Sequence, residues 1–463
     1  MKLPKIIYTL SSELKKRSAK AIVVGGSVRD HFLNLPIKDY DIEVYGLKEI
    51  RELEDILSQY GCVNLVGKSF GILKFQYDGE EYDLSFPRIE QKTGFGHRGF
   101  EVSIDGEMSF KEASRRRDFT INAMGYDIEE HKFLDPYNGQ KDIRDRLLRH
   151  IDNDTFIEDP LRIYRAIGFS ARFNFQLSDD TFILCQNMVR RGALDELPQE
   201  RIYSEFKKLL LKSPKPSIGF ELMRELDILS YFPELKAIID VPQSPKYHPE
   251  GDVWTHTMMA LDAMVTLLGH DEKENLRYMF AILSHDFGKA THTTIEEDGN
   301  IRSIGHEKAG VEPTKSFLYR LTQEHDFINS ILPLVEHHLK PSQFYQAGAK
   351  DRAFRRLATK VNIERLVVVA KADFLGRTTK ESLQGIYHAG EWMLECAKEL
   401  DVENRALENL VQGRDLITLG LNPSPQFKEI LNDIYNLQLD GKLSNKKEAL
   451  EYIRLNYKDI INQ

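Results

Sequence analysis

A glycine pair between an apolar run and a helical stretch constrains the fold of this chain more than any other sequence feature. The run AIVV (21–24) is too short for a helix and ends at the pair, which predicts a buried strand followed by a tight turn. Ser27 is well suited to cap a helix over SVRDHFLN (27–34). Glycines let the backbone approach a phosphate, and a helix N-terminus offers it N–H groups. The stretch therefore predicts an α/β unit with a phosphate-binding turn, and a purely structural turn is the alternative.

Two aspartates follow this turn closely. Asp39 and Asp41 stand one residue apart at the strand-like run DIEVYG (41–46), so both carboxylates are expected on one face. Adjacent like charges are costly unless a cation neutralises them, and Mg²⁺ prefers oxygen ligands. Asp83, in the alternating run EYDLSF (81–86), is predicted to lie beside the pair. A solvated strand face is the alternative for an isolated pair, but the nearby glycine turn favours a metal site.

The chain is expected to form several domains, because 463 residues exceed what one hydrophobic core usually holds. Short strand-like runs, including GILKFQY (71–77), give way to helical periods from about Glu158 onward. Nine of the 14 histidines lie between His248 and His338, which marks a separate module. Linkers are predicted at 211–217 and 241–251. We predict an α/β head (1–150), a helical neck (151–240), a helical histidine-rich domain (241–395) and a helical tail (396–463).

Composition predicts a cytoplasmic protein with no membrane segment. Hydrophobic residues make up 41% and charged residues 29%, with no bilayer-length apolar run and no signal-peptide pattern at the start. The three cysteines are far apart and in no CxxC spacing, which indicates free thiols in a reducing compartment. A net charge of −9 counts against a strongly basic RNA-coating protein but not against a local basic groove.

Four motifs occur in a fixed order over roughly 170 residues: GGSVRD, KDYDIE, RRRDFTINAMGYD (115–127) and EDPLRIYRAIGFSARF (158–173). Together they resemble the class II tRNA nucleotidyltransferases, the CCA-adding enzymes, a group that includes the bacterial poly(A) polymerases. The resemblance implies a head similar in fold to DNA polymerase β and a neck that selects the nucleotide and binds RNA. The implied reaction transfers nucleotides from CTP and ATP to a tRNA 3′ end by two-metal chemistry, with release of pyrophosphate.

The resemblance also implies roles for individual residues. Asp39 and Asp41 would be the Mg²⁺ ligands, and Asp83 is the candidate third catalytic carboxylate. Gly26 and Arg29 would contact the triphosphate. The complete set of implied nucleotide contacts is Gly26, Arg29, Arg88, Arg117, Asp118, Asn122, Asp159, Arg162 and Arg165.

Base selection is implied for the pair Asp159 and Arg162 of the EDxxR motif. A carboxylate accepts from an exocyclic amine and an arginine donates to a ring nitrogen or carbonyl, and both C and A carry such an amine. Arg165, one turn later, is expected to face the phosphates. Many members of the family have a further arginine where this chain has Gly168, which puts a neighbouring phosphate or base contact in doubt. Arg88 falls on a family nucleotide-binding arginine, with a surface arginine as the alternative.

The histidine-rich segment carries a second motif set. His256 lies in WTHTMMALD, His285 and Asp286 in AILSHDFGKATH, and Asp373 in VVVAKADFLGR. Adjacent histidine and aspartate are expensive to bury in an apolar helix without a partner, although a lone core histidine is often structural. The set resembles the HD-domain phosphohydrolases, which implies that these four residues bind a divalent metal, one of Ni, Mn, Co or Mg. The further residues with implied phosphate contacts are Lys289, His306, and either His337 or His338.

Several functional alternatives remain open on sequence grounds. A subset of bacterial CCA-adding enzymes carries a similar module with phosphatase and 2′,3′-cyclic phosphodiesterase activity, which is the favoured interpretation. The chain could instead be chiefly an HD phosphohydrolase with an RNA-binding head, or a relative that adds only A, only CC or a poly(A) tail. Residues 89–115 fill the place of the loop that CC-only enzymes lack, which favours A addition. The amphipathic helix at 196–213 is either a solvated face or part of an RNA-binding neck, and no protein partner is inferred.

Overall fold

A computed structural model describes residues 1–66, 72–92, 100–104 and 106–457, with side chains described except at residues 65, 66, 89–92 and 100–104. The chain divides into two compact units, residues 1–230 and 231–463. Residues 93–99 and 105, part of the segment 89–115 taken to favour A addition, lie outside the described residues. The four-segment division remains a prediction.

A seven-stranded mixed sheet forms the centre of the first unit, in the order β3-β4-β5-β2-β1-β8-β9. Strand β2 lies between β1, to which it runs antiparallel, and β5, to which it runs parallel. Val24 is paired with Asp41, and Asp41 with Asp83. The strands of this unit are β1 (Lys20–Val24), β2 (Tyr40–Tyr45), β3 (Cys62–Val66), β4 (Ile72–Tyr77), β5 (Glu80–Ser85), β6 (Arg88–Lys92), β7 (Phe100–Ile104), β8 (Gly125–Asp127), β9 (Lys132–Leu134), β10 (Leu147–Leu148) and β11 (Gln176–Leu177).

Helices surround this sheet and continue the unit beyond it. In α7 the apolar residues recur at helical spacing, so that one face is buried while its arginines remain partly exposed. The helices are α1 (Lys5–Lys15), α2 (Gly26–Phe32), α3 (Ile50–Leu57), α4 (Phe110–Arg115), α5 (Gly139–Asp145), α6 (Asn153–Glu158), α7 (Leu161–Phe173), α8 (Asp179–Arg190), α9 (Gln199–Lys212) and α10 (Ser217–Glu225).

The second unit is almost entirely helical. Its central helices α12, α13, α17 and α20 pack against one another, and Asp252 and Asn362 cap α12 and α20 by accepting from backbone N–H groups. The last three helices have an apolar cluster of their own. The elements are α11 (Pro233–Lys236), α12 (Val253–Val265), α13 (Glu272–Ser284), α14 (Lys289–His292), β12 (Thr294–Ile295), β13 (Ile301–Arg302), α15 (His306–Ala309), α16 (Val311–Leu321), α17 (His325–His337), α18 (Lys340–Ala347), α19 (Asp351–Ala358), α20 (Ile363–Leu375), α21 (His388–Glu399), α22 (Gly413–Thr418), α23 (Gln426–Leu439) and α24 (Lys446–Asn456).

The predicted fold class, an α/β head followed by a helical chain, is confirmed. The four predicted head strands occur within a residue of their expected bounds, although Gly71 lies outside the described residues. Within the described part of the chain no helix is long and apolar enough to cross a membrane.

One local prediction was wrong. Ser27 does not cap α2, because the helix begins one residue earlier and the Ser27 hydroxyl, inside its first turn, donates to the Val24 carbonyl at 3.2 Å. The segment 241–251 is irregular, as expected for a linker, and its turns also bury the side chains of Gln243 and Glu250 beside the histidine cluster described below.

Candidate functional sites

The glycine turn after β1 lies directly against the carboxylate of β2. Gly25 has φ +71° and ψ −129°, a conformation that suits only glycine. A Cβ at this position would lie 2.8 Å from Arg117 Nη1 and 3.7 Å from Asp41 Oδ2. The strand pairing of Val24 with Asp41 produces this proximity. The absent side chain therefore leaves room beside one carboxylate and one guanidinium.

Asp41 and Asp83 lie side by side at this end of the sheet, and Asp39 precedes β2. Asp41 and Asp83 are register partners on parallel neighbouring strands, so their side chains leave the sheet on the same face. Partial desolvation of the Asp41 carboxyl, together with the negative charges of Asp83 and Asp39, raises the pKa of Asp41. Asp83 Oδ1 is buried without a hydrogen-bond partner among the described residues, with Lys74 Nζ 3.7 Å away. Carboxylates that repel one another and an oxygen left unbonded fit a divalent cation.

Glu43, two residues after Asp41, is a site residue that the sequence interpretation missed. Its side chain is 1% exposed, and Oε1 accepts from Arg117 Nη2 at 2.9 Å and Arg116 Nη2 at 3.1 Å. The Tyr45 hydroxyl donates to Oε2 at 2.8 Å. Glu43 therefore fixes Arg117 beside Gly25. The alternation of the strand, which places Glu43 on the face of Asp41, was the available signal.

A chain of buried hydrogen bonds joins α2 to α7. Arg29 Nη1 donates to Asn122 Oδ1 at 2.7 Å, and Asn122 Nδ2 donates to Asp118 Oδ1 at 2.8 Å. Arg165 Nε donates to Asp118 Oδ2 at 2.7 Å. Burial alone would raise the pKa of Asp118, but Arg165 and Asn122 outweigh it and lower that pKa. Four of the implied nucleotide-binding residues thus form one network.

Aromatic rings of α7 cover the guanidinium of Arg29. Its Cζ lies 5.3 Å from the centre of the Phe169 ring and 4.9 Å from that of Phe173. Arg29 is buried, and desolvation lowers its pKa even though Asp30 pairs with it. The stacking fixes the direction of this charged group.

The implied base-reading pair is held by separate contacts. Asp159 Oδ2 accepts from Arg201 Nη2 at 3.1 Å, so Arg201 of α9 belongs to the site and not to a solvated face alone. Arg162 donates to the backbone carbonyls of Thr155, at 2.7 Å, and Arg116. The position of Gly168 is open, since a Cβ there would meet no heavy atom within 4 Å.

Arg88 is placed differently from the other implied nucleotide contacts. It begins β6, a strand of a separate two-stranded sheet. Its role in nucleotide binding therefore stays a prediction.

In the second unit, four residues from three separate stretches of the chain meet in a buried cluster. His256 lies in α12, His285 and Asp286 follow the end of α13, and Asp373 lies in α20. His256 Nε2 is 3.0 Å from Asp373 Oδ1, and His285 Nε2 is 3.2 Å from Asp286 Oδ2. One ligand atom each from His256, His285 and Asp373 lies within 4.8 Å of the others. This is a spacing that one metal ion can bridge.

The unbonded atoms of this cluster indicate what it can hold. His285 Nε2 and both Asp286 oxygens are buried without a well-formed hydrogen bond to any described residue. Burial would raise the pKa of Asp286, yet the charges of His285 and Lys289 keep it well below the usual range. A carboxylate that faces imidazole nitrogens in a closed space fits a divalent cation.

Two further histidines turn toward Asp286. The rings of His285, His306 and His338 each donate Nδ1–H to a backbone carbonyl three residues earlier, which leaves Nε2 to face Asp286. The Nε2 atoms of His306 and His338 lie 3.2 Å and 3.8 Å from Asp286 Oδ1. Asp286, His306 and His338 form a second group at metal-binding spacing, which does not include His337.

The close approach of His306 depends on Gly288. A Cβ at Gly288 would lie 2.0 Å from the His306 carbonyl oxygen and 2.6 Å from the Gly310 amide nitrogen. The glycine of the HDFGK sequence therefore allows α15 to pack against the turn that carries Asp286.

Two cations border a cavity of about 220 Å³ beside this cluster. Lys289 Nζ is 2.7 Å from Asp286 Oδ2 and donates to Gln243 Oε1 at 2.6 Å. Arg377 Nη2 donates to both oxygens of Asp373, at 2.9 and 2.7 Å. Sequence reasoning missed Gln243 and Arg377, the latter one helical turn after Asp373, and both border the cavity.

Three segments of the chain match known protein families. Residues 21–149 match the family described as Poly A polymerase head domain. Residues 174–239 match the probable RNA and SrmB-binding site of polymerase A, and residues 253–377 match the HD domain.

Two curated relatives cover most of the chain. The multifunctional CCA protein of Pasteurella multocida (strain Pm70) is 35% identical over 395 residues, which are 83% of this chain and 91% of the relative. The protein of the same name from Methylobacillus flagellatus is 39% identical over 324 residues, or 69% of this chain and 74% of the relative.

Solved structures show a similar fold along the whole chain. The Bacillus stearothermophilus CCA-adding enzyme in complex with CTP aligns with a TM-score of 0.67 at 22% identity, over 99% of this chain and 100% of that one. The Thermotoga maritima CCA-adding enzyme complexed with tRNA aligns with a TM-score of 0.60 at 20% identity, over 98% and 96%.

Proposed function

The chain belongs to the family of multifunctional CCA proteins, and we propose that it adds C and A nucleotides to tRNA 3′ ends and hydrolyses phosphoesters at its histidine cluster. One observation carries the first activity: the Asp41 carboxylate lies against the Gly25 turn, with Asp83 beside it on the next strand. The histidine cluster carries the second. We place both activities in the cytoplasm, where tRNA is processed.

At the first site, Asp39 and Asp41 would hold Mg²⁺, with Asp83 as the third carboxylate. Bound there, Mg²⁺ would favour ionisation of the RNA 3′-hydroxyl and neutralise charge on the triphosphate. The 3′ oxygen forms a bond to the α-phosphorus, and the bond from that phosphorus to pyrophosphate breaks. The chain itself contributes position and charge, which is how most catalysis of phosphoryl transfer arises.

The arginines are arranged to hold the triphosphate before it arrives. Glu43 holds Arg117 beside Gly25, where a triphosphate would lie. Arg29 is fixed by Asn122 and by the rings of α7. Charges fixed in advance need not reorganise during the reaction, and this is the main source of electrostatic stabilisation.

Asp159 and Arg162 would read the incoming base. The contact with Arg201 orients the Asp159 carboxylate, which can accept from the exocyclic amine of C or A but not from the carbonyl of U. This donor and acceptor pattern favours CTP over UTP, and ATP over GTP, because U and G carry a carbonyl where C and A carry that amine.

At the second site, His256, His285, Asp286 and Asp373 would hold a divalent ion, one of Ni²⁺, Mn²⁺, Co²⁺ or Mg²⁺. Bound there, the ion would activate a water for attack on phosphorus. Lys289 and Arg377 border the adjacent cavity and supply positive charge for the phosphate. We propose phosphomonoesters and 2′,3′-cyclic phosphates as substrates, which would restore blocked tRNA ends.

The first activity is tested with three tRNA transcripts that end before C, after CC, and after CCA. Each is incubated with the full chain, Mg²⁺ and one of CTP, ATP, UTP or GTP, or with CTP and ATP together. We expect C and then A to be added up to CCA, with no incorporation of U or G. Incorporation of A into the CC transcript alone, with no addition of C, would indicate an A-adding enzyme. Continued addition of A after CCA would indicate a poly(A) polymerase.

The second activity is tested by hydrolysis of 2′,3′-cyclic AMP. The phosphomonoester product is detected through the phosphate that an added phosphatase releases from it. Each divalent metal is supplied in turn to chelator-treated protein. Hydrolysis that requires metal and is lost in Asp286→Asn is expected. No hydrolysis with any of the four metals would refute the activity.

A further inference from the structure

Glu250 stands out among the buried acidic groups that the proposed chemistry does not use. It lies in the irregular segment before α12, and its side chain is 1% exposed. We propose that Glu250 is a positioning residue that sets the metal-binding orientation of His256. This inference rests on the proposed metal site, and its test separates the two.

Donors from three residues converge on this one carboxylate. His256 Nδ1 and His248 Nδ1 both lie 2.9 Å from Glu250 Oε1. The backbone N–H of Thr378 donates to Oε2 at 3.1 Å. A carboxylate only accepts hydrogen bonds, so it can satisfy these donors at once.

The contact determines which nitrogen of His256 is available. With its Nδ1–H donated to Glu250, the ring presents Nε2 to Asp373 Oδ1 at 3.0 Å and to Asp286 Oδ2 at 3.9 Å. Metal-binding histidines commonly donate their other nitrogen to a carboxylate, which fixes the ring and makes the binding nitrogen more basic. Glu250 meets this condition from a position six residues before His256.

His256 differs from the neighbouring rings in this respect. His285, His306 and His338 each donate Nδ1–H to a neutral carbonyl three residues earlier. The His256 ring is the member of this set that donates to a charged acceptor, and such hydrogen bonds are stronger than neutral ones. We therefore expect the His256 ring to depend on Glu250 more than the other rings depend on any one side chain.

Glu250 also links two segments that carry ligands. Thr378 directly follows Arg377, and the Arg377 guanidinium holds both oxygens of Asp373. Through His256 on one side and Thr378 on the other, Glu250 ties the first residues of α12 to the residues after α20. Both ligands thus depend on the same buried carboxylate.

Glu250→Gln is the most direct variant, because glutamine keeps the shape but has one acceptor oxygen and a donating amide. The amide NH2 donates and cannot accept, so the single oxygen of glutamine serves either the histidine rings or the Thr378 N–H, and the other side loses its hydrogen bond. Glu234→Gln is the matched control. Glu234 lies in the same unit, its side chain is 8% exposed, and it accepts from Ser316 and Arg320.

The experiment measures Co²⁺ binding to the full chain by equilibrium dialysis and by the visible absorption of bound Co²⁺. All proteins carry Asp39→Asn and Asp41→Asn to remove the proposed metal ligands of the head. Thermal unfolding in chelator is recorded for each variant as a measure of its folding. We expect Glu250→Gln to weaken Co²⁺ binding about 10- to 100-fold, with rates of cyclic-phosphate hydrolysis recovering as Co²⁺ is raised to saturation. Glu234→Gln should bind Co²⁺ within about threefold of the parent.

The outcomes are distinct. Unchanged Co²⁺ affinity in Glu250→Gln, with the parent binding normally, overturns the role of Glu250 and leaves the metal site intact. Equal losses in Glu250→Gln and Glu234→Gln also overturn it, since they would reflect general destabilisation. Complete loss of binding and of the Co²⁺ absorption at every concentration would make Glu250 a direct ligand instead. Absence of Co²⁺ binding by the parent refutes the metal site and the inference together.

Discussion

The two sites of this molecule handle charge in opposite ways. In the head, Asp39 and Asp41 are exposed, and the surrounding arginines are paired with Glu43, Asp118 or Asp159. In the histidine cluster, the proposed ligands are all buried, and several of their polar atoms have no hydrogen-bond partner among the described residues. Water can solvate the Asp39 and Asp41 carboxylates when no ion is bound, although Asp83 Oδ1 is buried. The ligands of the histidine cluster are all buried and lack such compensation. We therefore expect the head to need metal chiefly for chemistry and the histidine cluster to need it also for stability.

Replacement of one carboxylate should separate the two activities most strongly. Asp41→Asn removes a proposed Mg²⁺ ligand beside the glycine turn, and we expect nucleotide addition to fall on the order of a thousandfold. Hydrolysis of 2′,3′-cyclic AMP should change less than about twofold, because the histidine cluster lies in the other unit. Both rates can be measured on one preparation, and a parallel loss of the two activities would break the comparison.

Metal removal should reveal the difference in stability. Unfolding is followed by calorimetry in chelator and in Mn²⁺, with Asp39→Asn/Asp41→Asn and Asp286→Asn variants to assign the effect. At Mn²⁺ a hundredfold above its dissociation constant, the second unit should gain about 2.7 kcal/mol. The gain should survive in the head variant and disappear in Asp286→Asn. A gain that disappears in the head variant and survives in Asp286→Asn would show that the head site depends more on metal for its stability.

Loss of the contact between Arg201 and Asp159 in the head should have a moderate effect on nucleotide binding. Arg201→Ala leaves the Asp159 carboxylate without its partner on α9. We expect KM for CTP and ATP to rise about tenfold, since a hydrogen bond to a charged group contributes about 1.5 kcal/mol or somewhat more. Steady-state kinetics with a tRNA ending in CC measures the change for ATP. Lys207→Ala, on the same helix and pairing with Tyr203, is the control and should leave KM unaltered.

The smallest effect is expected where the head has unused space. Gly168→Arg introduces the arginine that the family resemblance predicts, at a position where a Cβ meets nothing within 4 Å. Replacing glycine inside α7 should stabilise the first unit by about 1 kcal/mol and lower KM for the triphosphates a fewfold. Thermal unfolding and initial rates test both. A lower free energy of unfolding in Gly168→Arg would show that an arginine side chain does not fit at this position of α7.

The head was largely predictable because its signals are local. The alternation of the strand placed Asp41 on one face, and the glycine pair predicted the turn. What could not be read from local signals was the partner of each arginine, because Arg117 and Glu43 lie 74 residues apart. Which carboxylate neutralises each arginine therefore depends on tertiary contacts between residues far apart in sequence.

The histidine site was predictable as a set of ligands by resemblance, but not as an environment. Glu250 was missed because the prolines and glycine around it indicated a linker, and a loop can bury a carboxylate wherever donors converge. Arg377 stands one helical turn after Asp373, a spacing that helix geometry alone could have indicated.

The aromatic cover over Arg29 has a consequence for protein engineering. Because Phe169 and Phe173 of α7 enclose the Arg29 guanidinium of α2, a fragment that ends at residue 150 would lack these rings and expose a buried cation. A chimera that exchanges heads between relatives must therefore transplant α7 with the sheet. For an exchange of catalytic domains within this family, the natural junction lies after α10 and not at the last strand of the head.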